Sequence, residues 1–145
     1  MLALKKPKRR PDRSFHFPKK SGEYRFVQIS LDFCHPGYRE CPVLAFQLHE
    51  QTHGEILKNF LEHMHLGHYP RFQYRDKILP AIKGENYEVV GFGVGHFNKE
   101  TITFKVRGLD LDNDYGEIVV QMRVNKQHLE RIVENSKINI KYQHQ

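Results

Sequence analysis

The chain has 145 residues, with 23 lysines and arginines against 17 acidic residues and a net charge of +6 when histidine is neutral. That length suffices for one domain with its own core, so neither a disulfide nor a metal is required to hold it together. No stretch approaches the ~18–20 apolar residues of a membrane-spanning helix, which argues against a membrane partner; the positive balance favours an anionic one, of which nucleic acid is the commonest.

Residues 1–22 read as an extended basic tail. Lys5, Lys6, Lys8, Arg9 and Arg10 form a dense cationic run, and Pro7, Pro11 and Pro18 disfavour a helix. The apolar start Met1–Leu4 is too short for a secretory segment. A cytoplasmic setting is therefore expected, with nucleus or virion as alternatives, and Cys34 and Cys41 are expected as free thiols. Residues 23–145 are expected to form a single α+β domain.

In that body, Arg25, Val27, Ile29, Leu31 and Phe33 share one face of a period-two run, and Val43–Leu48 makes a second strand after the turn His35-Pro36-Gly37. Thr52-His53-Gly54-Glu55 is a capping box with Thr52 as N-cap, opening a helix whose apolar stripe is Ile56, Leu57, Phe60, Leu61 and Met64. Tyr87–His96 is a strand, Phe97–Glu100 a hairpin connection, and Thr101–Arg107 a strand with Ile102, Phe104 and Val106 inward. Asp110–Gly116 is a polar turn before a strand over Glu117–Val124. Asn125 caps a second helix with Leu129, Ile132 and Val133 buried, and Lys137–Tyr142 is the last strand. This pattern predicts an α+β fold, a mixed or antiparallel sheet with two helices, and a ferredoxin-like sandwich with extra strands as its arrangement.

Several constellations suggest a function. The polar positions Lys105, Arg107, Gln121, Arg123, Lys137, Asn139 and Lys141 are expected on one sheet face, a cationic surface suited to phosphates. Tyr69-Pro70-Arg71-Phe72-Gln73-Tyr74-Arg75 interleaves rings and guanidinium groups, which single-stranded nucleic acid needs for stacking and neutralisation. Tyr69, Arg71, Tyr74 and Arg75 are the expected contacts, and Phe72 is expected in the core. Gly91, Gly93 and Gly95 share one strand face, with close helix packing as the expected cause.

Tyr69-Pro70, Gln73-Tyr74-Arg75, Pro80-Ala81-Ile82 and the Gly91/Gly93/Gly95 strand together resemble a segment of the CRISPR-repeat-processing endoribonucleases of the RAMP group. The resemblance is confined to residues 69–95. It implies a ferredoxin-like fold, RNA bound on a basic surface and metal-free cleavage by histidine, but it carries no catalytic histidine onto a position of this chain.

Histidine is the usual general base in such cleavage because it titrates near neutrality. His63, His65 and His68, clustered at the helix end beside the Tyr/Arg segment, are the catalytic candidates, with helix C-terminal placement as the plainer explanation. His49-Glu50-Gln51-Thr52-His53 fits the H-E-x-x-H zinc pattern, but a helix starting at Thr52 leaves His49 and Glu50 outside it. Cys34 and Cys41 could add zinc ligands by type only, and the extended strand between Cys41 and His49 separates them. Asp110, Asp112 and Asp114 imitate a calcium loop with glycine in the wrong place. The expected function is a cofactor-free nucleic-acid-binding accessory subunit, RNA favoured, with other protein subunits as partners. The alternatives are a metal-free histidine endoribonuclease and a zinc enzyme using His49 and His53.

Overall fold

The computed structural model describes residues 20–32, 40–48, 52–63, 69–108, 114–115, 122–134 and 137–143. Lys5, Lys6, Lys8, Arg9, Arg10, Cys34, His49, Glu50, His65 and His68 lie outside the described residues. The elements run β1 (Gly22–Asp32), β2 (Glu40–Leu48), α1 (His53–His63), β3 (Arg71–Tyr74), β4 (Lys77–Pro80), β5 (Tyr87–Asn98), β6 (Thr103–Gly108), α2 (Lys126–Glu134) and β7 (Asn139–Tyr142). A five-stranded sheet has the order β2-β1-β5-β6-β7, and β3-β4 is a separate hairpin. All neighbours in the large sheet are antiparallel except β6 and β7, which run parallel and are joined through α2. The class is α+β, as expected. A ferredoxin-like arrangement does not describe it, because the two helices cover opposite faces of the sheet.

Strand β1 explains why. Val27, Ile29 and Leu31 point to one face and enter a cluster with Ile56, Leu57, Phe60 and Leu61 of α1. Tyr24 and Phe26 point to the other face and pack with Phe104, Val106, Leu129 and Ile132. Only the first of these faces stands out in the sequence, yet both are buried. Each such side chain contributes roughly 1.5–3 kcal/mol relative to exposure.

The glycine row of β5 makes the second face possible. Gly93 stands opposite Phe26, and Gly91 opposite Gln28. A Cβ at Gly93 would run into the Phe26 ring, and one at Gly91 into the Gln28 amide. The glycines therefore accommodate side chains of the neighbouring strand, rather than the close approach of a helix.

Gln28, fully buried, then fastens α2. Its amide nitrogen donates to the Asn125 carbonyl at 2.8 Å and lies 3.0 Å from His128 Nδ1, while its oxygen accepts from the Asn125 N–H at 2.8 Å. His128 Nε2 lies 3.0 Å from the Ile29 carbonyl. One assignment satisfies every partner: Nε2 carries the proton and Nδ1 accepts. Asn125 caps α2 as expected, its side chain accepting from His128 N–H at 3.1 Å. The same side chain donates to the Val90 carbonyl at 3.2 Å. Val90 is the extra residue of a bulge, since Gln28 faces Gly91 while Ile29 faces Val89.

Both bonds of the capping box at α1 are present, Glu55 N–H to Thr52 Oγ1 at 3.3 Å and Thr52 N–H to Glu55 Oε1 at 3.1 Å. Thr52 also hydrogen-bonds Asp114, which accepts from Lys77 Nζ at 2.8 Å. Asp114 and Tyr115 are buried, so this part of the expected polar turn belongs to the core. The Tyr115 hydroxyl donates to the Pro80 carbonyl at 2.8 Å, tying the end of β4 to the segment whose Asp114 bonds the α1 N-cap. Other expectations also need correction. Val133 and Ile102 are exposed, with His128 taking the third buried place on α2. Met122–Val124 are not strand, the rest of that expected strand lying outside the described residues. Ile102 sits in the β5–β6 turn at φ 51°, a left-handed conformation that a β-branched residue adopts at a cost.

Two outcomes follow for stability. Gln28→Leu leaves the Asn125 N–H and His128 Nδ1 without their buried partner and should cost about 1–3 kcal/mol in a urea unfolding series. An unchanged midpoint would contradict the network. Ile102→Gly relieves the left-handed strain without removing a buried contact, and should raise the unfolding free energy by about 1 kcal/mol, seen as a higher urea midpoint.

Candidate nucleic-acid interface

On the face covered by α1, only part of the sheet is covered. Helix α1 and the β3–β4 hairpin sit over the Val27–Ile29–Leu31 region. Past it, the same face carries a row in register across four strands: Glu23 opposite His96, His96 opposite Lys105, and Lys105 opposite Lys141. His96, Lys105 and Lys141 are exposed and Glu23 is half-buried. Phe104 and Val106 are buried on the other face, so alternation turns Lys105 outward.

The one acidic member of the row is held by two bases. His96 Nδ1 lies 3.1 Å from Glu23 Oε2, and Arg107 hydrogen-bonds Glu23 Oε1. Arg107 reaches it from a bulge, since Val94 pairs with Gly108 and Gly95 with Val106. Burial pushes the Glu23 carboxyl up, but the hydrogen bonds from Arg107 and His96, with their charges, hold it below its ordinary value. This arrangement thus favours the fold above the usual carboxylate range and loses that contribution as pH falls through the lowered value. Among the described residues, Lys105 and Lys141 have no carboxylate partner.

The sequence-derived candidates divide between regions. Lys105, Arg107 and Lys141 come together in this row. Lys137 is exposed just before β7. Arg123 does not join them, because its carbonyl lies by Gly91 and Gln28 on the α2 side of the sheet. Glu23 and His96 were missed as site residues. Period-two alternation places His96 opposite in sense to Gly95 and Phe97, but aligning it with Lys105 and Lys141 depends on bulge positions.

The Tyr69–Arg75 segment forms β3 and its flanks. Tyr69 is the buried ring at 7% exposure, whereas Phe72, expected in the core, and Tyr74 are only partly buried, packed against the core cluster. The Arg71 guanidinium lies 4.2 Å over the Tyr69 ring, and Arg75 lies 5.1 Å over Tyr74. Both rings are therefore already paired with arginine rather than offered bare for stacking. Arg75 takes the hairpin turn at φ 61°.

Of the histidine candidates, His63 ends α1 and is exposed. His53 is the first residue of α1, fully buried, with Nε2 3.1 Å from the Gly93 carbonyl and its ring edge-on to Phe92 at 5.2 Å. It packs in the core. No group of three or more metal-ligating side chains forms among the described residues, and none of the described helices is long and apolar enough to cross a membrane.

Close to Tyr69 and Arg71, Tyr87 donates to the Ala81 carbonyl at 2.5 Å. Burial, and secondarily Tyr69, push its hydroxyl up to about 12, with Arg71 opposing. A raised value means that this contribution is intact below the ordinary value of 10.0 and is lost as pH rises toward about 12. Tyr87→Phe should remove one late-ionising phenol from the tyrosinate absorbance titration and lessen the loss of stability over that window. Parallel curves for the two chains would contradict the assignment. No family model, curated protein or solved structure matches this chain, so the function of the row is argued from its own geometry.

Proposed function

We propose that this chain is a nucleic-acid-binding subunit of a larger assembly, favouring single-stranded RNA, and that it grips phosphates along the Glu23–His96–Lys105–Lys141 row. One observation carries the reading: Lys105 and Lys141 stand directly opposite one another on an exposed part of the sheet. Like charges so placed cost roughly 0.2–1 kcal/mol, a cost that an anionic ligand relieves. A sheet face of this kind is a common RNA-binding surface. Glu23 is balanced by Arg107, which leaves the charges of Lys105 and Lys141 as the net positive field of the row.

We read the basic segment ahead of Lys20 as a further source of phosphate contacts. Ser21 accepts a hydrogen bond from Lys99 N–H at 2.9 Å, and Lys20 accepts one from the Tyr24 hydroxyl at 2.8 Å. The chain thus enters β1 beside the β5–β6 turn, at the end of the cationic row. Lys5, Lys6, Lys8, Arg9 and Arg10 lie upstream of this point in the sequence. The resemblance of residues 69–95 to RNA-processing proteins agrees with RNA as the ligand.

Binding of a fluorescent single-stranded RNA, followed against salt, tests the proposal. Affinity should fall steeply with salt, and Lys105→Ala and Lys141→Ala should each flatten the log–log slope by about 0.7. Lys141→Glu should abolish most binding yet stabilise the free protein by roughly 0.2–1 kcal/mol, since opposite charges then face each other. Salt-independent affinity, or a slope unchanged by both alanine substitutions, would overturn it.

A further inference from the structure

A shallow cleft of about 640 Å³, widely open to solvent, lies between the approach to β3 and the loop leading to β5, lined by Tyr69, Pro70, Arg71, Lys83, Gly84 and Glu85. Its volume lies in the range of small-ligand sites. One wall is the Arg71 guanidinium set 4.2 Å over the Tyr69 ring. Tyr69 is buried, which fixes the ring, while Arg71 is exposed. The Tyr69 hydroxyl is buried and has no hydrogen-bond partner among the described residues, an unused donor of the kind that calls for an explanation.

Across the cleft, Lys83 is exposed and lies 3.8 Å from Glu88, a loose surface pair that a ligand phosphate could displace. The two walls are held at a set spacing. Ala81 N–H donates to the Pro70 carbonyl at 2.8 Å, and Gly84 N–H donates to the Tyr87 carbonyl at 3.0 Å. Gly84 rests so close to the Tyr87 ring that a Cβ there would collide with it. The cleft therefore offers a planar cation held in place by stacking, a second cation on the facing wall and a carboxylate, Glu85.

We propose that this cleft holds one nucleotide of a single strand, its base against the outer face of the Arg71 guanidinium and its phosphate at Lys83. The inference rests on the nucleic-acid reading of the sheet face and adds to it a place where a base is held. A plain anion site needs no flat surface, and a polyphosphate would be repelled by Glu85. Base stacking on an arginine plane already supported by an aromatic ring uses both features.

The test is an NMR titration of the full chain with AMP, adenosine and inorganic phosphate in parallel. AMP should shift the resonances of residues 69–71 and 83–85 saturably, and adenosine and phosphate should do so much more weakly. Arg71→Lys keeps the charge but loses the plane, and should weaken AMP roughly tenfold, the effect of one stacking contact. Lys83→Gln, on an exposed side chain, should weaken AMP and bring its affinity close to that of adenosine. Three outcomes would each overturn the proposal: phosphate shifting these residues as strongly as AMP, no saturable shift, or full AMP affinity in Arg71→Lys. Salt-dependent RNA binding that persists through Lys105 and Lys141 after any of these failures would leave the sheet-face reading standing.

Discussion

Phe26 and Gln28 lie flat across Gly93 and Gly91, and the rest of the architecture depends on that contact. Because β5 places glycines at 91, 93 and 95 on this face, β1 can bury large groups opposite them and still carry a second apolar face. Gln28 converts the space into a hydrogen-bonded seat for α2 through Asn125 and His128. Helix α1 must then take the opposite face, where Val27, Ile29 and Leu31 await it. It covers the region around those three residues and leaves the row from Glu23 to Lys141 on the surface. The cationic row is thus a consequence of how the core is divided between two helices.

The electrostatics of that row are biased toward receiving an anion. Its carboxylate is already engaged by Arg107 and His96, which hold it below its ordinary value despite partial burial. Lys105 and Lys141 face each other across β6 and β7. An ordinary exposed sheet face relieves such a pair with an acidic neighbour, since opposite charges across strands stabilise and like charges do the reverse. Here the only acidic residue in the register row is two strands away from Lys105. The β3–β4 hairpin and its Arg–Tyr stacks lie on the same side of the sheet, joined to the core by Tyr115 and Phe72 at a ring separation of 6.1 Å.

Local signals in the sequence carried well into the structure. Thr52 and Asn125 cap their helices because capping needs only residues three positions apart, and the α1 stripe from Ile56 to Leu61 is buried because its period is helical. Signals that depend on a distant partner did not carry. Burial of Tyr24, Phe26 and Gln28 requires knowing that glycines lie opposite. Tyr69 rather than Phe72 is the most buried ring because the chain reaches the core before β3 begins, so strand alternation does not apply to it. Asp114 looks like part of a solvated acidic turn until Thr52 and Lys77 are placed around it. Of the site, Lys105, Arg107 and Lys141 were legible from alternation. Glu23 and His96 were not, because bulges at Val90 and Arg107 set the register that aligns them, and Arg123 was misplaced by a strand that does not extend over it.

The most direct measurement is a lysine acylation footprint of the full chain, read by mass spectrometry with and without single-stranded RNA. If the sheet row is the binding surface, RNA protects Lys105 and Lys141 while Lys58 on α1 and Lys126 on α2 stay as reactive as in the free protein. Equal protection of all four, or protection of Lys58 or Lys126 in preference to the facing pair, would contradict the account.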